Sequence, residues 1–357
     1  MLNLSHVKYR VTCVTADGKQ LDLTTISTGL GWSEGAKELA CKIQLKIACV
    51  EVNGKSINEL IKPFTQIIVF ADVGDGFTEV TRGKVQKLSV TETNKDFYLD
   101  IEAADEAGEL RHGQDNFYFT DGHSSSAILK EILGKWNVPA EIHVNDVKHG
   151  KKVYRKKYLC DMIADVLKDI KEQGGGEYFV RATGGVVEIV KRGENSTVWH
   201  FDIDDNLTKV SESFDASKVV TQVQVVGKQK TEGKPFVEQT VDGRTDYGTR
   251  RIIYERPNSE NSGEAEKAAK KILDEQGEPK RKTSIEAPDI PTLRKGDKIR
   301  VRSSSGASYF FVKSINHNAV SQKMTIELDY AKDDDKSLLG QVFSLAEGSE
   351  SDSSDPP

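Results

Sequence analysis

The chain alternates most clearly over residues 39–50. Leu39, Cys41, Ile43, Leu45, Ile47 and Cys49 are apolar, and Ala40, Lys42, Gln44, Lys46 and Ala48 stand between them. A period of two over this length predicts a strand with one buried and one wetted face. It places Ile43, Leu45 and Ile47 inside and Lys42, Gln44 and Lys46 in water. Further strands are predicted over 66–71, 81–90 and 97–103. Turn signals at Gly74-Asp75-Gly76 and Thr93-Asn94-Lys95-Asp96 separate them. Short strands so spaced predict an antiparallel sandwich or barrel.

The period changes after residue 113. Ser124-Ser125-Ser126 offers helix N-caps, followed by Leu129, Ile132, Leu133 and Trp136 at helical spacing, with Gly134 and Pro139 at the exit. A second helix is predicted over 158–172, with Leu159, Met162, Ile163, Val166 and Ile170 on one face, stopped by Gly174-Gly175-Gly176. A hairpin follows: 177–182, a turn at Thr183-Gly184-Gly185, and 186–191. Strand patterning returns at 219–226, before a polar loop with Lys228, Lys230, Glu232 and Lys234. A third helix is predicted over 264–276, and strands over 298–302, 309–315 and 323–330. Residues 348–357, acidic and Ser-rich, are expected to lack a fixed fold.

The chain also matches itself. With the second half shifted back by 227 positions, Val312 falls on Val85, Ile315 on Leu88, Ile326 on Leu99 and Leu328 on Ile101. After a small gap, Phe64-Thr65-Gln66-Ile67-Ile68-Val69 overlies Gly296-Asp297-Lys298-Ile299-Arg300-Val301. Such a repeat predicts an α+β, mainly β chain: two related antiparallel β-barrels separated by a small α/β domain. The expected boundaries are 1–113 for the first barrel and 114–200 for the α/β domain with two helices and a hairpin. The second barrel is expected over 201–332, with one helix near 264–276, and an acidic, largely disordered tail over 333–357.

Charge sharpens this picture. Among 357 residues, 50 Lys and Arg stand against 56 Asp and Glu, a net charge of -6. Residues 331–357 hold seven of the acids and two of the bases, so the rest is nearly neutral. A near-neutral surface suits protein partners better than capture of a polyanion. No apolar run approaches the ~18 residues of a membrane helix, and Met1-Leu2-Asn3-Leu4-Ser5-His6-Val7-Lys8 has no signal-peptide pattern. No membrane or secretory role is expected.

Candidate chemistry is sparse. Cys13, Cys41, Cys49 and Cys160 form no C-x-x-C pair and are read as buried structural thiols in a reducing cytosol. Gly29-Leu30-Gly31-Trp32-Ser33-Glu34-Gly35 has the wrong spacing for a dinucleotide loop and is read as a connecting loop. The histidines are scattered, with His143 and His149 the nearest pair, so no metal is expected. Glu102, Asp105 and Glu106 are read as a solvated face. Asn195-Ser196-Thr197 is read as an idle sequon. Residues 148–157 pack six Lys and Arg around Tyr154; an exposed connector is preferred there to a nucleic-acid contact. No catalytic, cofactor-binding or metal residue is assigned.

Several stretches carry a family resemblance. Gly31-Trp32-Ser33 precedes the long alternating strand. Ala103-Ala104-Asp105 through Leu110 leads to Asn116-Phe117-Tyr118-Phe119. Leu159 through Ile170 precedes Gly176-Glu177-Tyr178-Phe179 and Val187-Glu188-Ile189-Val190-Lys191-Arg192-Gly193. Ala268-Ala269 through Leu273 precedes Leu293-Arg294-Lys295-Gly296-Asp297-Lys298-Ile299. In this order and pattern, over roughly residues 1–332, the chain resembles the XkdQ/YqbQ-type baseplate hub proteins of phage tails and phage-tail-like bacteriocins. These are relatives of contractile-tail central hubs and of the trimeric part of VgrG. Where that family usually has Tyr-Asp, this chain has Ala104-Asp105.

The resemblance implies two tail-tube-like barrels per chain and a homotrimer presenting six barrel positions. Such a structural hub adapts a hexameric tail tube to a trimeric central spike, without a reaction or cofactor. The implied partners are other copies of the chain, the tail tube protein, the central spike protein, and LysM-type or other baseplate proteins. The implied place is the baseplate of a virion or phage-tail-like particle, assembled in the bacterial cytoplasm, and the wetted face of residues 42–46 becomes a candidate lumen surface. Two other classes are alternatives. A cell-wall hydrolase at a tail tip lacks a leftover region and a marked acid/base pair. A nucleic-acid-binding module would rest on residues 148–157 alone and is not expected.

Overall fold

The computed structural model describes residues 7–330 except 16, 53, 228–235, 258–259 and 305. The tail predicted over 333–357 and the loop residues Lys228, Lys230, Glu232 and Lys234 lie outside the described residues. The chain divides into two compact units, Met1–Ser211 with Ser284–Pro357, and Glu212–Thr283.

The first unit opens with β1 (Lys8–Val14), β2 (Gln20–Asp22), β3 (Ser27–Glu34) and β4 (Cys41–Ala48). Short pieces β5 (Glu51–Val52), β6 (Lys55–Ser56) and α1 (Ile57–Leu60) lead to β7 (Gln66–Asp72), β8 (Phe77–Glu92), β9 (Phe97–Ala104) and α2 (Glu106–Glu109). Alternation in β4 acts largely as expected: Cys41, Ile43, Leu45 and Ile47 are buried and Lys42 and Gln44 are exposed, while Lys46, expected in water, is half-buried. Inward residues of β1, β3, β4, β7, β8 and β9 meet in one core, so this sheet is rolled around them. Residues 29–35, read as a loop, mostly form β3. The strand carries little apolar periodicity on its outer face, and its extended form comes from pairing on both edges, with β4 and with a strand far along the chain.

The middle block contains β10 (Gln114–Phe119), α3 (Ser125–Lys135), β11 (Ala140–Ile142), β12 (Lys152–Tyr158), α4 (Leu159–Glu172), β13 (Tyr178–Thr183) and β14 (Val186–Lys191). Ser124 caps α3, its hydroxyl accepting from the Ala127 amide at 3.3 Å. Ile128, Leu129, Ile132 and Leu133 are the buried face. Trp136, predicted on that face, is the C-cap and 42% exposed. All five predicted apolar residues of α4 are buried. Part of the predicted connector 148–157 is β12, paired antiparallel with β10.

Next come β15 (Trp199–Asp202) and β16 (Lys209–Asp215). The second unit carries β17 (Gln222–Val226), β18 (Val237–Asp242), β19 (Arg251–Glu255) and α5 (Ser262–Gln276). Strand β17 pairs antiparallel with β18 and parallel with β19, and α5 packs its Ala265 and Ala269 against Val220, Val223 and Val225. A capping box starts α5 before the predicted 264: Asn261 accepts from the Glu264 amide at 2.9 Å, and Glu264 accepts from the Asn261 amide at 2.8 Å. The chain then forms β20 (Lys280–Pro288), β21 (Lys298–Ser303), β22 (Gly306–Asn318) and β23 (Lys323–Tyr330). A second core collects Ile285, Ile299, Val301, Phe310, Val312, Ile315, Ile326 and Leu328.

The two halves share a strand order, β7-β8-β9-β4-β3 in one and β21-β22-β23-β20-β16 in the other. Their irregularities coincide. The β8–β9 ladder slips between Val85 and Lys87, and the β22–β23 ladder between Val312 and Ser314, each 227 positions on. The strand approach coincides too. Val85 donates to Thr65 O and accepts from Phe64 N; Val312 donates to Asp297 O and accepts from Gly296 N. Phe64 and Gly296 both have positive φ, 69° and 91°. The single offset of 227 fails on the returning strand. Leu88 pairs with Ile101 and Ile315 with Ile326, an offset of 225 there, so Ile326 matches Ile101 rather than Leu99. The second hairpin is one residue pair shorter in its arms, while both loops hold four residues, 93–96 and 319–322. Between β3 and β4 the first repeat has only residues 35–40; between the equivalent β16 and β20 of the second repeat stand residues 216–279.

Candidate functional site

Strand β3 lies antiparallel to β22, with Gly31, Trp32, Ser33 and Glu34 facing Asn318, His317, Asn316 and Ile315. One thirteen-stranded sheet therefore runs through both repeats. Glycine is required at position 31, because a Cβ there would lie 2.7 Å from the His317 carbonyl oxygen. The Trp32 indole stacks on the His317 ring. Below it, His317 Nδ1 lies 2.6 Å from Asp289 Oδ1 and Nε2 lies 3.1 Å from the Leu293 carbonyl oxygen. Tyr9 donates its hydroxyl to Asp289. Asp289 and His317 are buried, and most buried polar groups are held by such bonds.

A second buried knot joins both repeats to the middle block. Arg294 bonds Glu34 Oε1 from Nη2 at 2.5 Å and from Nε at 2.9 Å, and donates to the Ala182 carbonyl at 3.2 Å. The Lys295 amide donates to Glu34 Oε2 at 2.8 Å. Burial alone would raise Glu34, but Arg294 and this amide hold its pKa down at about 2. Asp105, read as part of a solvated face, is instead 2% exposed. Burial pushes its pKa up to about 7, against the Cys41 amide that it accepts at 3.0 Å. A carboxyl titrating near neutrality often marks chemistry, but this one is sealed from solvent. Asp297 is likewise raised by burial. None of these had a periodic signature; only the charge of the Leu293–Asp297 stretch could have flagged the knot.

The wetted face of the joined sheet is polar. One ladder crosses it through Lys87, Glu102, Gln44, Gly31, Asn318 and Lys323, each facing the next. Lys87 pairs with Glu102 at 3.2 Å, and Lys46 Nζ lies 3.5 Å from the Tyr98 ring centre. A groove of about 720 Å³ runs along this face over β3, β4, β8, β9 and the end of β22. Its mixed charge suits water or another polar surface.

The repeat leaves one edge uncovered. In β22, residues Ile315–Asn318 are paired by β3. The equivalent stretch of β8 is 88–91, 227 positions earlier, and among the described pairings that edge has no neighbour. His317 is 1% exposed beneath Trp32, whereas its counterpart Val90 is 52% exposed.

The other predicted residues scatter. His149 is buried, 2.8 Å from the Ser125 hydroxyl and 2.9 Å from Asp169 Oδ2, while His143 is exposed. Cys13 and Cys41 are buried, and burial pushes their thiols up to about 11 and about 12. Cys49 and Cys160, also read as buried, are only partly so; Cys49 falls just beyond β4. Among the described residues no three His, Cys, Asp or Glu converge as metal ligands would, and no helix is long and apolar enough to cross a membrane.

Solved structures share this fold. The 43 kDa tail protein of prophage MuSo2 from Shewanella oneidensis is similar with a TM-score of 0.64 at 12% identity, over 90% of this chain and 98% of that one. A tail protein from Neisseria meningitidis MC58 is similar with a TM-score of 0.63 at 12% identity, over 90% and 96%. The Escherichia coli c3393 protein, a type VI secretion component with structural similarity to the T4 tail proteins gp27 and gp5, gives 0.52 at 9% identity, over 86% and 74%. At such identities the likeness is one of fold. No curated protein sequence matches the chain. The sequence profile of the YQBQ-like family matches residues 33–331, and the chain belongs to that family.

Proposed function

We propose that the chain is a structural baseplate hub of a contractile phage tail or phage-tail-like particle. Three copies form a ring of six equivalent sheet modules, which meets a hexameric tube on one side and a trimeric spike on the other. The observation that carries this reading is the uncovered β8 edge around Val90. Within one chain, the second repeat's matching edge on β22 is covered by β3 of the first. Strand β16 holds β3's place in the second repeat, and its one hydrogen-bonded neighbour among the described residues is β20. Setting β16 of one copy on β8 of the next repeats the internal joint between chains, and closed rotational symmetry leaves no edge over. The polar ladder then lines the lumen. No reaction is assigned to any residue. LysM-type and other baseplate proteins are further candidate neighbours.

Paired cysteines test the ring. Ser33→Cys with Asn316→Cys, register partners within the chain, should oxidise to an internal bond. Ser89→Cys with Ser211→Cys should yield covalent products that stop at three chains once the spike or tube partner is present. Internal bonds with no trimer in the assembled particle would refute the reading.

A further inference from the structure

The ribbon of β10 and β12 has an exposed outer face. Of the six bases in residues 148–157, Lys152 is satisfied, its Nζ lying 2.6 Å from Asp165 and 2.8 Å from Asp169. The other five, Lys148, Lys151, Arg155, Lys156 and Lys157, make no ion pair among the described residues. Lys151 and Lys157 instead lie over the rings of Tyr118 and Tyr154, at 5.4 and 5.0 Å. Tyr118 and Val153 are register partners, 59% and 46% exposed, and Tyr158 is 42% exposed. The ribbon thus presents an apolar centre rimmed by unpaired cations, a surface that calls for an anionic occupant with apolar side chains.

One such segment lies in the chain itself. Residues 331–357 carry Asp333, Asp334 and Asp335 near one end and Glu347, Glu350, Asp352 and Asp355 near the other, against Lys332 and Lys336. Between the acidic runs stand Leu338, Leu339, Val342, Phe343 and Leu345. Apolar residues flanked by acids are the complement of the ribbon. The segment departs from β23, whose Asp329 is bonded by Arg192 at the end of β14, and Arg192 also bonds Glu177 at 2.6 Å. The last described strand therefore runs against the block that carries the ribbon. From there, residues 331–357 reach up to about 90 Å when extended. We propose that residues 331–357 dock on the outer face of the β10–β12 ribbon of their own chain.

Carbodiimide coupling of the full chain at sub-micromolar concentration, with isotopically mixed chains to separate internal from intermolecular links, tests this. The expected result is internal links from ribbon lysines to carboxylates of 333–355. Their yield should fall at least fivefold in R155E/K156E and in 1 M salt, where charges farther apart than about 3 Å are screened. Neutralising the segment (E347Q, E350Q, D352N, D355N) should speed amide exchange in β12 at least threefold, without touching the ribbon. Links spread evenly over surface lysines, links only between chains, or yields unchanged in R155E/K156E overturn the proposal. So does a single-stranded oligonucleotide that binds the full chain through Arg155 and Lys156 when no ribbon–segment link forms; the ribbon would then be a nucleic-acid site.

Discussion

The Trp32 indole lies flat on the His317 imidazole, ring centres 4.7 Å apart and planes 13° from parallel, and the two residues face each other across β3 and β22. The joint between the repeats is therefore an aromatic contact above a buried His–Asp pair. Trp32→Ala should cost about 3–5 kcal/mol, the usual range for emptying a large aromatic site. Trp32→Phe should cost less, since Trp32 Nε1 is buried without a partner. In a double-mutant cycle with His317→Ala, denaturant unfolding should give a coupling of roughly 0.5–3 kcal/mol. Strict additivity would mean that the stacking contributes nothing.

Glu34 and Arg294 form a buried ion pair between the repeats. Arg294→Met leaves Glu34 charged and buried and should cost about 3–5 kcal/mol, whereas the double change E34L/R294M should recover most of that. The folded pKa of Glu34 lies below its ordinary 4.5, at about 2. Its contribution is therefore complete above pH 4.5 and lost as pH falls toward 2. Unfolding curves of R294M and the parent between pH 6 and 3 should converge on acidification; parallel curves would rule the pair out as the source.

Asp105 works in the opposite sense. Its folded pKa of about 7 lies above the ordinary 3.8, so the folded state holds a proton that the unfolded state has lost. Stability from this group falls as pH rises from about 4 to 7. Asp105→Asn removes the titration and keeps an acceptor for the Cys41 amide. The parent should lose ground to D105N by up to about 1.4 kcal/mol per pH unit approaching pH 7. A difference independent of pH would show that Asp105 is ionised throughout.

Leu45 and Lys46 are adjacent but face opposite sides of β4, Leu45 at 2% exposure. Leu45→Asp buries an unpaired carboxylate and should abolish folding. Lys46→Glu removes the ammonium from the Tyr98 ring, a contact of about 0.5–1 kcal/mol, and reverses a charge on the wetted face. It should leave the fold intact, with a melting curve lowered by only a few degrees. Soluble, folded L45D by circular dichroism would reverse the assignment of faces.

What was legible in the sequence was what repeats along it. The alternation of 41–48, the helical face of Leu159 through Ile170 and the returning strands near 85 and 312 each have a period that burial imposes. The β3–β22 joint was not legible, because six of the eight residues of Ser27–Glu34 are small or polar and its partner lies some 280 residues on. Strand β12 was hidden by charge, since its bases mask the inward Tyr154. Asp105 looked like any surface acid, for only its packing beneath β4 makes it exceptional. The two-residue shift in the returning strand was invisible because Ile and Leu at both registers fit equally well.

Phe64 and Gly296 occupy the same turn of the two repeats, both with positive φ. Phe64 is 70% exposed, so its side chain gains little from burial there, while the left-handed backbone costs a non-glycine residue roughly 1–2 kcal/mol. Glycine's extra freedom in the unfolded chain offsets about 0.5–1 kcal/mol of that. Phe64→Gly should therefore be neutral to stabilising by up to about 1 kcal/mol. Gly296 is constrained twice, since a Cβ there would also meet the Phe179 ring at 2.9 Å. Gly296→Ala should cost about 2 kcal/mol or more, because strain and contact add. Thermal melts of the two variants decide the matter. If F64G were clearly destabilised, the exposed ring would have a contact that the isolated chain does not reveal, and the equivalence of the two turns would be one of backbone only.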